Sequence, residues 1–190
     1  MAESNAKARE PAGRTRLLAT ARDLFMRRGA ANVGINDVTD SAGVARMTLY
    51  NNFASKEALI LAVYSELAET TLHELREMET KGRSEEERIL AVFDHLDGKS
   101  HEPDYRGCPF IHASLQPAEP SGPVYALVHA YKSSLRDHVF GLINDTRANR
   151  AELADQIVLL LDGAVTEAYL KGVAQPGRSA KRAAATLLRG

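Results

Sequence analysis

At 190 residues, 44% of them hydrophobic, the chain is long enough for one or two modest cores. Cys108 is its one cysteine, no apolar run nears the roughly 18 residues of a membrane span, and Met1-Ala2-Glu3-Ser4-Asn5 lacks a signal peptide's apolar core, so a disulfide framework is excluded and a cytoplasmic, unanchored protein is expected. The net charge of −1 hides an asymmetry: residues 1–56 hold nine Lys or Arg against five acids and the remainder fifteen against twenty, which suits a basic, DNA-contacting head on an acidic body.

Residues 1–12 are polar, contain Pro11, and read as an unordered tail or as an arm carrying Lys7 and Arg9 to phosphates. A first helix is expected over 13–29, with Leu17, Leu18, Ala21, Leu24 and Phe25 at helical spacing and Gly29 at its end. Ile35 to Ala42 gives a short second helix with Ile35, Val38 and Ala42 on one side, and Gly43 supplies a tight turn. In the helix that follows, Val44, Leu49 and Phe53 pack inward, while Arg46, Met47, Thr48, Tyr50, Asn51 and Asn52 point elsewhere. Helix, glycine turn and polar-faced helix is the sequence form of a helix-turn-helix.

Ser55 is the expected N-cap of a long helix from Lys56 to about Glu79, which Gly82 breaks. Ser84-Glu85-Glu86-Glu87 opens a fifth helix, acidic in its first turn and ending at Gly98. After a polar loop, Pro109 starts a short apolar helix through Leu115, and Pro117, Pro120, Gly122 and Pro123 mark an exposed connection. Residues 124–147 and 151–174 give two long helices, the second containing Ile157-Val158-Leu159-Leu160-Leu161. Gly172 to Gly177, with Pro176, separates them from a final helix over 179–189. The chain therefore reads as all-α, with about nine helices and no strand pattern.

The run Leu24-Phe25, Gly29, Ile35, Asp37-Val38, Ala42-Gly43-Val44, Thr48-Leu49-Tyr50, Phe53 and Ser55-Lys56-Glu57-Ala58-Leu59 resembles the DNA-binding domain of TetR-type transcriptional regulators, over residues 14 to about 64. The sequence departs from the family's pattern at Gly34, Ala45 and Asn52, where Ser or Thr, Ser, and His or Tyr are commoner. The resemblance implies a three-helix head over 1–54 and a helical ligand-binding and dimerisation body over 55–190. It also implies a homodimeric repressor, released from a palindromic operator in double-stranded DNA by a small-molecule inducer.

Residue chemistry gives the helix face two readings. As a DNA contact, Arg46 suits guanine O6 and N7, and Asn51 or Asn52 suits adenine N6 and N7; otherwise the face is a solvated one. Thr48, Tyr50 and Lys56 match family positions that hold phosphate. In the body, a ligand cavity is implied by the resemblance, with Phe93, Leu96, Phe110 and Ile111 as candidate walls and His112, Tyr125, His129 and Tyr131 as polar groups; singly, each also suits ordinary core. The helix over 151–174 is apolar around more of its circumference than a surface helix needs; burial within one chain accounts for part of this, and by resemblance Ile157, Leu160, Leu161, Ala164, Val165, Ala168 and Leu187 of the last two helices form the dimer interface.

Cys108 and His112 stand four apart on one helix, too few ligands for a metal, so no metal or cofactor is expected. Cys108 reads as an inert small hydrophobe or, with Arg106 beside it, as a thiol sensing redox state or electrophiles. A helical enzyme using a cavity around His112 and Cys108 is the competing class. No nucleophile elbow, P-loop or dinucleotide-binding glycine loop supports it, and a non-enzyme is expected.

Overall fold

A computed structural model describes residues 10–78, 84–115, 121–171 and 175–190. Among these residues there are nine α-helices, one 3-10 turn and no strand. In chain order they are α1 (Glu10–Arg28), the 3-10 turn (Ala30–Asn32), α2 (Ile35–Ala42), α3 (Arg46–Asn52), α4 (Lys56–Glu77), α5 (Glu85–Ser100), α6 (Pro109–Ser114), α7 (Pro123–Leu142), α8 (Arg150–Lys171) and α9 (Gln175–Arg189). The expected arm with Lys7 and Arg9, the break at Gly82, the connection through Pro117 and Pro120, and the start of the Gly172–Gly177 break lie outside the described residues.

The described residues form two compact units. One joins the described part of Met1–Leu67 to Pro109–Val128, and the other joins Ala68–Cys108 to His129–Gly190. In the first unit, Leu17, Ala21 and Phe25 of α1 are buried with Val38 of α2, Leu49 of α3 and Phe53. Ser55 caps α4, its Oγ accepting from the Ala58 N–H at 3.1 Å. The Tyr64 ring, buried on α4, meets Phe110 of α6 edge-on, with centroids 6.0 Å apart.

The second unit has the larger core. Ile89, Val92 and Phe93 of α5 pack with Leu135 and Val139 of α7, Leu153, Ile157 and Leu161 of α8, and Ala184 and Leu188 of α9. Helix α5 opens with a reciprocal cap. The Ser84 N–H donates to Glu87 Oε2 at 2.7 Å, and the Glu87 N–H donates to Ser84 Oγ at 3.2 Å. Lys181 of α9 ties back to Asp94 of α5, with Nζ 2.7 Å from Oδ2.

Several helix ends differ from the sequence expectation: α1 begins at Glu10 rather than 13, taking in residues read as tail, and three others differ for a local reason. Helix α5 runs through Gly98 to Ser100. Gly98 keeps a negative φ, and the Asp97 carbonyl accepts from Ser100 Oγ at 2.7 Å, so the final turn is held from within. Helix α7 stops at Leu142 rather than near 147 because arginines from elsewhere take its last carbonyls. Arg150 donates twice to Phe140 O, at 3.1 and 2.9 Å, and Arg88 donates to Leu142 O at 3.1 Å. Asn144 then accepts from the Thr146 N–H at 3.1 Å and turns the chain. Helix α9 begins at Gln175, with Pro176 in its first turn, where a missing N–H removes no helical bond.

Arg147 joins three of these pieces. Its Nε lies 3.0 Å from Glu85 Oε1 at the start of α5, and its Nη2 donates to the Leu188 carbonyl near the end of α9. Arg147→Ala is expected to destabilise the protein by about 2 kcal/mol, the scale of lost charge-assisted hydrogen bonds at a half-buried site. A urea titration with unchanged slope and a lowered midpoint would show it.

Candidate DNA-binding interface

Arg28 at the end of α1 and Gly29, at φ 76°, turn the chain towards α2. Gly34 offers no side chain to cap α2, and Asp37 supplies the reverse half of the cap instead. Its Oδ2 accepts from the Gly34 N–H at 2.7 Å, with Arg28 Nη2 at 3.5 Å. The Gly34 N–H, opposed by desolvation and aided by Arg28 and Lys56, holds the Asp37 carboxyl below its ordinary value of 3.8.

At the end of α2, Gly43 takes the left-handed conformation, φ 63° and ψ 39°, and its N–H turns back to Asp40 O at 3.2 Å. Ala45 then stands at the N-cap of α3 without a side-chain bond, forgoing about 1 kcal/mol relative to Ser. Packing compensates. Leu49 is fully buried beneath α3, and Phe53 closes it, with the Arg14 guanidinium 5.3 Å from its ring centroid.

With that side fixed, Arg46, Met47, Tyr50 and Asn51 are exposed together, Met47 at 66%. Arg46 Nη2 donates to Tyr50 Oη at 3.3 Å, and its guanidinium carbon lies 5.6 Å from that ring's centroid. The remaining three sequence candidates are half-buried: Thr48, Asn52 and Lys56. Asn52 donates to Thr48 O at 2.7 Å, and Lys56 donates to Ala31 O at 3.3 Å, holding the 3-10 turn to the start of α4. The sequence reading did not single out Asp37 as a cap or Arg14 as a support. The Gly34-x-x-Asp37 spacing, that of a capping box, was the available signal for the first.

Residues 17–63 match the family model for bacterial regulatory proteins of the tetR family. The structure superimposes on a TetR-family transcriptional regulator from Streptomyces coelicolor with a TM-score of 0.86 and 26% identity, covering 94% of this chain and 95% of that one. Residues 17–63 are thus of the tetR family type, and the chain has the fold of TetR-family regulators. A putative regulator from Streptomyces avermitilis gives a TM-score of 0.82 at 26% identity, over 93% of this chain and 96% of that one. In sequence, the chain is 29% identical over 150 residues to the transcriptional activator FasR of Mycolicibacterium smegmatis, matching 77% of itself but 65% of that protein. It is 38% identical over 64 residues to the transcriptional regulator UidR of Escherichia coli, spanning 34% of itself and 33% of that relative.

Of the TetR-type ligand candidates, Phe93 and Leu96 border a small cavity in the second unit, and Tyr131 is buried in the same unit. His129 is exposed. Phe110, Ile111, His112 and Tyr125 belong to the first unit, Phe110 buried and the others half-buried. Cys108 is half-buried. Burial, and then the proximity of Cys108, pushes the Tyr105 phenol up to about 12 and raises Tyr131 in the same direction. Arg106 is exposed and donates to Tyr105 O at 3.1 Å.

Of the candidate interface residues, Ile157, Leu161, Ala164 and Ala168 are buried within the chain itself, so they have almost no area left to cover with a second one. Leu160, Val165 and Leu187 are half-buried. The large exposed apolar residues of α8 are Leu159 at 72%, Leu170 at 69% and Tyr169. No helix of the described residues is long and apolar enough to cross a membrane.

Because the folded pKa of Asp37 is depressed, its contribution to stability is complete above the unfolded value near 3.8 and is lost as pH falls through the lower folded value. Asp37→Asn is therefore expected to melt below the wild type at pH 7, with the gap closing on acidification. Melting curves across that range check the sign.

Proposed function

We propose that this chain is a homodimeric, ligand-responsive transcriptional regulator that reads a palindromic duplex with α3. In this reading residues 1–54 act as the head and 55–190 as the body. The exposure of Arg46 and Asn51 on one face of α3, behind a left-handed glycine turn, carries the proposal. Arg46 reads guanine, Asn51 reads adenine, and Thr48, Tyr50 and Lys56 hold phosphate. Asn52 joins the base-reading set only by giving up its bond to Thr48 O, and Met47 offers apolar contact beside Arg46. A single short helix reads too few base pairs for specificity, which is why a dimer is needed.

In the body, Phe93, Leu96, Phe110, Ile111, His112, Tyr125, His129 and Tyr131 are the proposed ligand contacts. A small molecule would release the operator only by binding one arrangement of the dimer better than the other. Repression is the proposed outcome. FasR, named a transcriptional activator, favours activation as a second reading, and in vitro transcription from a promoter carrying the selected duplex separates the two.

Arg46→Ala is expected to lose about 1–3 kcal/mol of binding and relax preference at one base position per half-site. Tyr50→Phe keeps the ring but removes the hydroxyl that orients Arg46 and holds phosphate, so it should weaken that same preference by a smaller amount and lower affinity for all sequences. Lys56→Ala should weaken all sequences alike and flatten the salt dependence. Selection from a random duplex library followed by anisotropy titrations measures all three, and unchanged preference in Arg46→Ala would remove α3 as the reader.

For the dimer, the proposed face shifts from the buried α8 residues to the exposed stripe around Leu159, Gly163, Thr166 and Leu170. Leu159→Glu should give folded monomers by sedimentation that bind the palindrome poorly. A Leu159→Glu protein that stays dimeric would count against this face.

A further inference from the structure

Helix α1 carries two exposed arginines near its start, Arg14 and Arg16, and the fold treats them differently. Residues two apart on a helix point about 200° from one another. Leu17, three residues after Arg14, is fully buried, and the Arg14 guanidinium lies 5.3 Å from the ring centroid of Phe53, the residue that closes α3. Gly13 makes the same approach: a Cβ there would stand 3.6 Å from Thr48 Cγ2. The start of α1 is thus laid along the flank of α3, with Arg14 on that side and Arg16 turned away. All of these residues belong to the first unit.

Other arginines of this unit have committed their guanidinium groups. Arg22 lies near Asp23, Arg27 donates to Asp23 O, Arg28 serves Asp37 and Asn32 O, and Arg46 donates to Tyr50. Arg14 makes no hydrogen bond or ion pair with another described residue. A ring contact holds a guanidinium by its charge and leaves its five N–H donors uncommitted. A side chain held in this way also loses less freedom on binding than one that swings in solvent.

Position decides what those donors meet. The outward face of α3 is made by Arg46, Met47, Tyr50 and Asn51, and Thr48 stands half-buried at its edge. A major groove is walled by two phosphate backbones, so groups beyond the edge of a helix lying in it meet phosphate rather than bases. Arg14 reaches α3 from beyond that edge, where Gly13 touches Thr48. Phosphate oxygens suit a guanidinium, which gives them paired, charge-assisted bonds.

We propose that Arg14 is a phosphate contact contributed by α1, held ready by Phe53 and set beside the one made by Thr48. It positions the head on the duplex without reading sequence. This role presupposes α3 as the DNA reader proposed above, and the test separates the two.

Anisotropy titrations of the full chain on its library-selected duplex and on an unrelated one, at several salt concentrations, measure it. Arg14→Met keeps an apolar stem against Phe53 and removes the charge. It should weaken both duplexes by the same factor and flatten the salt dependence by about one unit of slope for each protomer bound, with the selected sequence unchanged. Arg14→Lys should keep the slope. Arg16→Ala, the same change of charge on the side away from α3, should keep it too. The proposal is overturned if Arg14→Met loses no slope, if it alters base preference, or if Arg16→Ala flattens the slope as much. Lower affinity at an unchanged slope would also overturn it, by making Arg14 a support for Phe53 and nothing more. A wild type that binds no duplex sinks both readings. Relaxed base preference in Arg46→Ala, beside an Arg14→Met protein that keeps its slope, sinks this one alone.

Discussion

Between α2 and α3 the chain has three residues in which to change direction, and the first of them, Gly43, adopts a backbone conformation that disfavours side chains. A Cβ at that position would meet nothing within 4 Å, so the restriction comes from the backbone itself and not from crowding. The turn also satisfies the end of α2, since the Val44 N–H reaches Thr39 O at 3.0 Å. Once the turn is made, Leu49 can seat fully in the core, and burying it decides which residues of α3 face outward. The polar face of α3 is thus the consequence of one dihedral angle and one leucine.

Much of this was legible beforehand because each signal is local. Glycine after a short amphipathic stretch, leucine at helical spacing and Ser55 before Lys56 act within a few residues of themselves, and the structure places them as the sequence suggested. The ends of α5, α7 and α9 were less legible. Helix α7 ends where Arg150 and Arg88 reach its carbonyls, and no window around Leu142 contains that information. The interface candidates on α8 show the same limit. An apolar run reveals that Ile157 and Leu161 are buried, but which partner buries them depends on how α9 and α5 come to lie against α8.

The core of the second unit shows how far polar groups can be fitted among apolar ones. Arg147, Arg150 and Arg88 bring long side chains into half-buried places and give their N–H groups to carbonyls or to Glu85. Phe140 receives the Arg150 guanidinium 3.9 Å from its ring centroid, so one side chain both ends α7 and packs against it. The matching is incomplete: among the described residues, Arg88 Nε, and also the Oδ1 oxygen of Asp97, are buried without a hydrogen-bond partner. Nothing in the composition of α5 marks the latter, because Asp94 and Asp97 are equivalent acids until Lys181 takes one of them.

The contact between Arg46 and Tyr50 has a further consequence. A phenol that accepts from a guanidinium still has its own hydrogen to give, so Tyr50 can hold a phosphate while bracing Arg46. Backbone registration and base identity would then share one hydroxyl. A wrong base that pushes Arg46 aside would disturb the phosphate contact too, making a mismatch cost more than the sum of two separate contacts. Discrimination of that kind is cooperative at the level of two side chains, one helical turn apart.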